Sequence, residues 1–277
     1  MLYAFLMGAV LDAQVKQDKD AWQIPSTKEK FHVFLLMGQS NMSGHAPMLP
    51  EDLKAVPYVV KLPTTGDTKW VPAAHPLHNR LDSDRFGLGL PFAVAYLKDK
   101  PGVVVGLIPV AWGGAAIDQL KKGTAAYADA IRKARFAMSQ GVIKGVLWHQ
   151  GESDTVNPAD ADAYEQKLRQ LVADLRADLA DGQLPFIAGN LAEFYGTGPD
   201  HNAPDRVKRI DEVRAALRAL PQKVPFTGFV ESTGCSSEDS NMVHFDRKSY
   251  IILGERYAKT YGEVAEKANT PNASDRK

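Results

Sequence analysis

Cysteine is almost absent from this chain. Cys235 is alone among 277 residues, so no intramolecular disulfide can form and no cysteine-based zinc or iron–sulfur site is available. Cys235 itself reads as a small loop or packing residue. Excess charge of either sign is missing as well: Lys plus Arg and Asp plus Glu both total 33, for a formal net charge of zero. A neutral chain carries no broad electrostatic footprint for nucleic acid or an anionic membrane, and neither is expected as a partner. Long hydrophobic runs are wanting too. The one candidate, Leu2 to Leu11, is too short to span a bilayer, so membrane insertion is not expected. It has the length of a signal-peptide core, but no Lys or Arg precedes it, and Asp12-Ala13-Gln14 matches a cleavage site only loosely. Two readings stay open: an export signal, which would make the protein secreted or periplasmic, and a short apolar arm on a cytoplasmic one. There are no repeats and no low-complexity tracts.

What is present is a full core. The hydrophobic fraction is 44% and the charged fraction 24%, the composition of a globular domain. Five short apolar runs stand out: His32 to Met37, Val103 to Val110, Val142 to Trp148, Leu184 to Ala188 and Val224 to Val230. Unbroken runs of this length suit strands buried on both faces. Between and after them, apolar residues recur at helical spacing: Tyr127, Ile131, Ala134 and Met138; Tyr164, Leu168, Leu171, Leu175 and Leu179, with Gly182 as a stop; Val207, Ile210, Val213, Leu217 and Leu220; Tyr250, Leu253, Tyr257 and Tyr261. These stripes are read as core-facing. Strands alternating with helices predict an α/β domain with a five-stranded, mainly parallel sheet and helices on both faces. Residues 1–30 read as a leader or linker, 31–265 as the domain and 266–277 as a polar tail. Residues 41 to 85, rich in Pro, Asp and His, read as a long irregular excursion over the site.

Sites in such sheets form beyond the carboxyl ends of the strands, and polar groups cluster there. After the first run comes Gly38-Gln39-Ser40-Asn41-Met42, a turn that would hold Ser40 clear of the sheet. After the second come Gly113-Gly114, whose lack of side chains lets backbone N–H groups approach a ligand. After the third comes His149-Gln150-Gly151-Glu152-Ser153-Asp154, in which Gln150 could donate to an oxyanion and Glu152 could orient an imidazole. Near the C-terminus His244 and Asp246 open the last helix, Asp246 as its cap. A nucleophile, a base, a carboxylate and oxyanion donors together are the requirements of acyl transfer. His45, His75 and His78 match no metal motif and are read as loop residues, and Arg80 and Arg85 as solvated. No metal and no other cofactor is expected.

The four blocks, in this order, resemble those of the SGNH/GDSL hydrolases, in the version carried by carbohydrate esterase family 6 and the sialate O-acetylesterase-like domain. Gly38-Gln39-Ser40-Asn41-Met42 is similar to the first block, Gly113-Gly114 to the second, Trp148-His149-Gln150-Gly151-Glu152-Ser153 to the third, and Val243-His244-Phe245-Asp246 with Leu253 to Ala258 to the last. The similarity spans residues 32 to 262. It implies a flavodoxin-like three-layer domain, Ser40 as nucleophile and His244 as base. It implies an oxyanion hole from the Ser40 N–H, a glycine of Gly113-Gly114 and the Gln150 side chain, and Gln39 and Asn41 beside the substrate. The substrate it implies is an O-acetylated carbohydrate, of acetylxylan or sialate type. A lipid or aryl esterase of the same superfamily, or a catalytically weak carbohydrate-binding relative, is the alternative. One position departs from the pattern: many relatives place Asp three residues before the histidine, where this chain has Asn241. The acceptor for the imidazole is therefore open among Glu152, the Asp239/Glu238 pair and Asn241, with Glu152 preferred.

Overall fold

The computed structural model describes residues 22–66, 68–78 and 85–269. The apolar run at 2–11, Arg80 and most of the polar tail lie outside the described residues. Seven strands form one sheet: β1 (Phe31–Gly38), β2 (Val59–Lys61), β3 (Val71–Pro72), β4 (Val104–Pro109), β5 (Val142–His149), β6 (Phe186–Gly189) and β7 (Thr227–Val230). Their order is β3-β2-β4-β1-β5-β6-β7. All neighbours run parallel except β2 and β3, which are antiparallel. The six α-helices among the described residues are α1 (Ser40–Ser43), α2 (Gly89–Leu97), α3 (Ala125–Met138), α4 (Pro158–Asp178), α5 (Pro204–Lys223) and α6 (Arg247–Asn269). They lie on both sides of the sheet, α2 packing on α6 and α4 on α5.

All five expected strands are present, but the expected count of five is corrected to seven. The extra pair, β2 and β3, comes from the excursion, which is not irregular throughout. Val59 and Val60 are too short a run to announce a strand, and β3 is two residues long and contains Pro72. Proline cannot donate to a ladder and is tolerated at a sheet edge, which is where β3 sits. Helix α2 has no polar face, so no stripe announced it. Its Phe92 and Tyr96 meet Phe34 of β1 edge-on at 4.8 and 4.9 Å between ring centres, and Tyr261 of α6 meets Phe34 at 5.0 Å. Helix α4 stops at Asp178 rather than at Gly182, where Ala180 turns the backbone to a φ of 54°. Helix α6 continues past 265, to Asn269. Among the described residues no helix is long and apolar enough to cross a membrane.

Two contacts between elements place the site. The first is the approach of β1 to β5. Gly38, at the carboxyl end of β1, has a φ of 139°, and a Cβ there would lie 2.1 Å from the carbonyl oxygen of His149. Gln39 then donates its N–H to that same carbonyl at 3.0 Å, and the chain turns into α1 with Ser40 first. The second is the clamp on the excursion. The Arg247 guanidinium, at the start of α6, reaches both carboxylate oxygens of Asp52 at 2.5 and 3.2 Å and lies 4.3 Å above the Phe86 ring. It fastens the excursion to the segment that carries His244. His75 and His78 are loop residues of the excursion, as expected, and both are buried. Among the described residues no group of His, Cys, Asp and Glu could hold a metal ion.

Gly38→Ala is expected to destabilise the fold by more than about 3 kcal/mol, because the added carbon strikes backbone on a fixed neighbouring strand at a φ that L-residues rarely adopt. Urea unfolding of the variant measures it. A midpoint within about 0.3 M of the parent would mean that β1 and β5 do not approach this closely.

Candidate active site

Ser40 is the first residue of a single helical turn, which Gly44 closes by donating its N–H to the Ser40 carbonyl at 2.8 Å. The hydroxyl faces the ring of His244, with Oγ to Nε2 at 3.0 Å. On the other side of the ring, Nδ1 lies 2.9 Å from Oδ2 of Asp239. A carboxylate accepts only, so Nδ1 carries the hydrogen and donates it to Asp239. Nε2 is then a free lone pair, set to accept the Ser40 proton. The other carboxylate oxygen of Asp239 accepts the Asn241 N–H at 2.9 Å, an Asx turn that fixes the carboxylate within its own loop. Ser237 braces this loop, accepting from the Asp239 N–H at 2.9 Å and donating to the His244 carbonyl at 2.7 Å.

The acceptor on the imidazole is thus Asp239, five residues upstream, and the preference for Glu152 is corrected. Glu152 sits in the third block, whose strand end packs beneath the serine turn. It is 3% exposed and accepts from Nδ2 of Asn41 at 2.6 Å. Burial pushes its carboxyl above the usual range, and the Asn41 bond offsets only part of this. Asn41 is not beside a substrate either. It is wholly buried, and its Nδ2 also donates to the Val243 carbonyl at 3.0 Å. Its Oδ1 accepts from the Phe245 N–H at 3.4 Å and the Tyr250 hydroxyl at 3.0 Å. The two backbone contacts bracket His244, so Asn41 holds the histidine segment against the serine turn.

Gln39 and Gln150 are likewise inside the protein. Oε1 of Gln39 accepts from the backbone N–H groups of Gly151 and Ser153 at 3.4 and 3.3 Å and from Nε2 of Gln150 at 3.1 Å. That amide nitrogen of Gln150 also donates to the Ala115 carbonyl at 3.0 Å and to Asp154 at 2.5 Å. With no exposed surface, Gln150 is bound to the protein's own acceptors and is not aimed at an oxyanion. It ties the glycine loop to the third block. Trp112 anchors the same loop by donating its N–H to the Gly38 carbonyl at 2.9 Å. Among the described residues no hydrogen bond uses the N–H groups of Ser40, Gly113 or Gly114.

Tyrosines of the stripes brace the backbone of the third block and one edge of the His149 ring. Tyr257 donates to the Trp148 carbonyl at 2.6 Å and lies 3.1 Å from Nδ1 of His149. Tyr164 donates to the Gln150 carbonyl at 2.8 Å. His149 is fully buried, which pushes its pKa down to about 3, so it is a neutral structural ring. Sequence reasoning missed His45. Its ring stacks on that of His244, 3.8 Å between centres and 8° from parallel. No spacing signal announces such a contact, because the two residues lie on loops far apart in the chain.

The electrostatics favour a neutral base. Burial lowers the pKa of His244 and outweighs the raising effect of Asp239. Burial of Asp239 works against its charge, but the Asn241 N–H and His244 hold its carboxyl below the usual range. A hydroxyl, a neutral imidazole and an ionised carboxylate in line, beside free backbone N–H groups, can move an acyl group from oxygen to oxygen.

A mainly parallel α/β sheet bearing such a line at its carboxyl end is the architecture of a hydrolase that transfers acyl groups. Residues 30–263 match the family model described as "Carbohydrate esterase, sialic acid-specific acetylesterase". The chain belongs to this family, and it is a carboxylic ester hydrolase. It is 29% identical over 265 residues to a probable carbohydrate esterase of Arabidopsis thaliana, a match that covers 88% of this chain and 95% of the relative. An X-ray structure of an Arabidopsis thaliana protein superposes with a TM-score of 0.72 at 30% identity, covering 84% of this chain and 98% of that one. The crystal structure of NanS superposes with the same TM-score at 15% identity, covering 88% and 100%. At that identity it speaks for the fold alone.

Two outcomes test the geometry. Asp239→Asn should lower kcat about 10³- to 10⁴-fold, because an amide can present the wrong tautomer and stabilises an imidazolium poorly. Glu152→Gln should stay within about threefold of the parent, since the amide oxygen still accepts from Asn41. The reverse ranking in turnover of an aryl acetate would return the acceptor role to Glu152. The second outcome concerns pH. A base must be unprotonated, so kcat/KM should hold on a plateau at neutral pH and fall with acid at a midpoint below 6.5. A midpoint above 6.5 would contradict the balance between burial and Asp239.

Proposed function

We propose that this protein is a serine acetylesterase that removes O-acetyl groups from carbohydrates by a two-step Ser-His-Asp mechanism. The observation that carries the reading is the line from Ser40 through His244 to Asp239, with 3.0 and 2.9 Å contacts. Ser40 Oγ attacks the acetyl carbonyl while Nε2 of His244 takes its proton. The N–H groups of Ser40 and Gly113-Gly114 receive the charge on the tetrahedral oxygen, and each such donor contributes about 10²- to 10³-fold in rate. The bond to the sugar oxygen then breaks, and the imidazolium returns the proton to that oxygen. Water, deprotonated in turn by His244, attacks the acetyl-serine. Acetate leaves, and Ser40 regains its proton. Asp239 stabilises the imidazolium throughout.

Acetylated sugars as substrates follow from the family, whose description names acetylesterase activity. The departure at Asn241 does not favour a non-catalytic relative, because Asp239 supplies the carboxylate that position lacks.

Ser40→Ala should lower turnover of an aryl acetate by about 10⁴-fold or more while leaving the unfolding midpoint in place. Acetate release from acetylated xylan and from O-acetylated sialic acid, measured on the parent, ranks the two sugar types. Rates across aryl esters should fall as the acyl chain lengthens. A rise with chain length would replace the carbohydrate reading with a lipid esterase, and turnover surviving in the Ala variant would end the serine mechanism.

A further inference from the structure

The stacked ring of His45 stands outside the mechanism. His45 follows Gly44, whose φ of 94° reverses the chain behind the serine turn. A Cβ at Gly44 would lie 2.5 Å from the Phe86 carbonyl oxygen, so a side chain at 44 is excluded and the next residue is delivered over the base. The backbone on either side of His45 is fixed in turn: the Gly44 carbonyl accepts from the Arg85 N–H at 3.0 Å, and Ala46 exchanges hydrogen bonds with Phe86 at 3.0 and 3.3 Å. The ring is therefore not adventitious. It is carried by a backbone pinned on both sides, and it lies flat on His244 at 3.8 Å, closer than ordinary aromatic pairs.

We infer that His45 is a positioning residue for the ester hydrolysis: its ring covers one face of His244 and keeps the imidazole in line with Asp239 and Ser40. The inference rests on the serine-esterase reading above. Flat contact over a whole face resists rotation of the His244 ring about its Cβ–Cγ bond, the motion that would break both in-line hydrogen bonds together. The contact also excludes water from that face. Water stabilises an imidazolium, so a dry face favours the neutral base. Among the described residues, the charged and titratable groups around the pair include Asp239 on Nδ1, Glu238 and Asp246, which with both histidines line a cavity of about 310 Å³, Tyr250 from α6, and Arg85, whose backbone N–H bonds the Gly44 carbonyl.

The test compares His45→Ala, which removes the ring, with His45→Phe, which keeps a flat face but no proton, and His45→Leu, which keeps bulk without flatness. Steady-state kinetics on an aryl acetate and NMR titration of the His244 ring in resting enzyme are read together. In the Ala and Leu variants kcat should drop about tenfold with KM within about twofold, as expected for loss of alignment rather than of binding. The His244 titration midpoint should rise by about half a unit or more in the Ala variant, as the face becomes wet. The Phe variant should keep at least about half of the parent's kcat and its His244 midpoint. If the Ala variant does not fold, the Leu and Phe pair decides, Leu losing kcat and Phe keeping it. Parent-like kcat and midpoint in the Ala or Leu variant would overturn the inference, as would equal losses in Phe and Leu. If the parent hydrolyses no ester, the esterase reading fails instead, and the titration still reports whether His45 shields His244.

Discussion

Ser40 and His244 are 204 residues apart in the chain, and the buried carboxamide of Asn41 is what joins their two segments. It has two donors and two acceptor lone pairs, and all four find partners: Glu152, the Val243 carbonyl, the Phe245 N–H and the Tyr250 hydroxyl. Serine turn, third block, histidine loop and last helix meet at one side chain. A polar group buried so completely costs several kcal/mol unless every valence is satisfied. The same penalty holds the arrangement together, because moving any one of the four segments would strand a partner in the interior. The in-line contacts of the site are the outer consequence of this inner junction.

Beneath it a second amide, Gln39, ties the serine turn to the third block, whose Gln150 reaches on to the glycine loop. Together the two turn the residues flanking Ser40 inward, which leaves the hydroxyl and its own N–H as the groups of that turn able to meet a substrate. The site is therefore built from few reactive groups and many supporting ones. Most of the polar residues that crowd the strand ends satisfy one another. Glu152, with its carboxyl pushed up by burial, and His149, with its ring pushed down to about 3, are both driven toward their neutral forms. They can serve as internal struts without placing a net charge in the core.

The acceptor of the imidazole shows how a carboxylate can reach the ring from an unexpected spacing. With Asn at 241, the carboxylate comes from two residues further upstream. The Asp239 Asx turn and the left-handed backbone at Met242, φ 54°, fold the intervening residues out of the way. The ring then meets a carboxylate at 2.9 Å from a position no fixed spacing would select. The distance in sequence is free to change because a loop, unlike a strand or helix, has no period to keep.

The sequence by itself was enough for the α/β alternation, the five buried strands, the helical stripes and the four chemical blocks. Each of these is a local pattern: a run of apolar residues, a period of 3.6, or a set of polar residues at a strand end. The edge strands β2 and β3 and the apolar helix α2 escaped it because they are too short or too uniform to show a period. The roles of the polar residues escaped it for a different reason. Gln39, Asn41, Gln150 and Glu152 are the residue types that bind substrates, and they are equally those that satisfy buried backbone. Only tertiary structure decides which way a side chain points, since strand pairing and helix packing determine where water is excluded. The His45 ring on His244 and the Asp239 carboxylate on its other edge are contacts between loops, and a loop's path depends on what the rest of the chain leaves open to it.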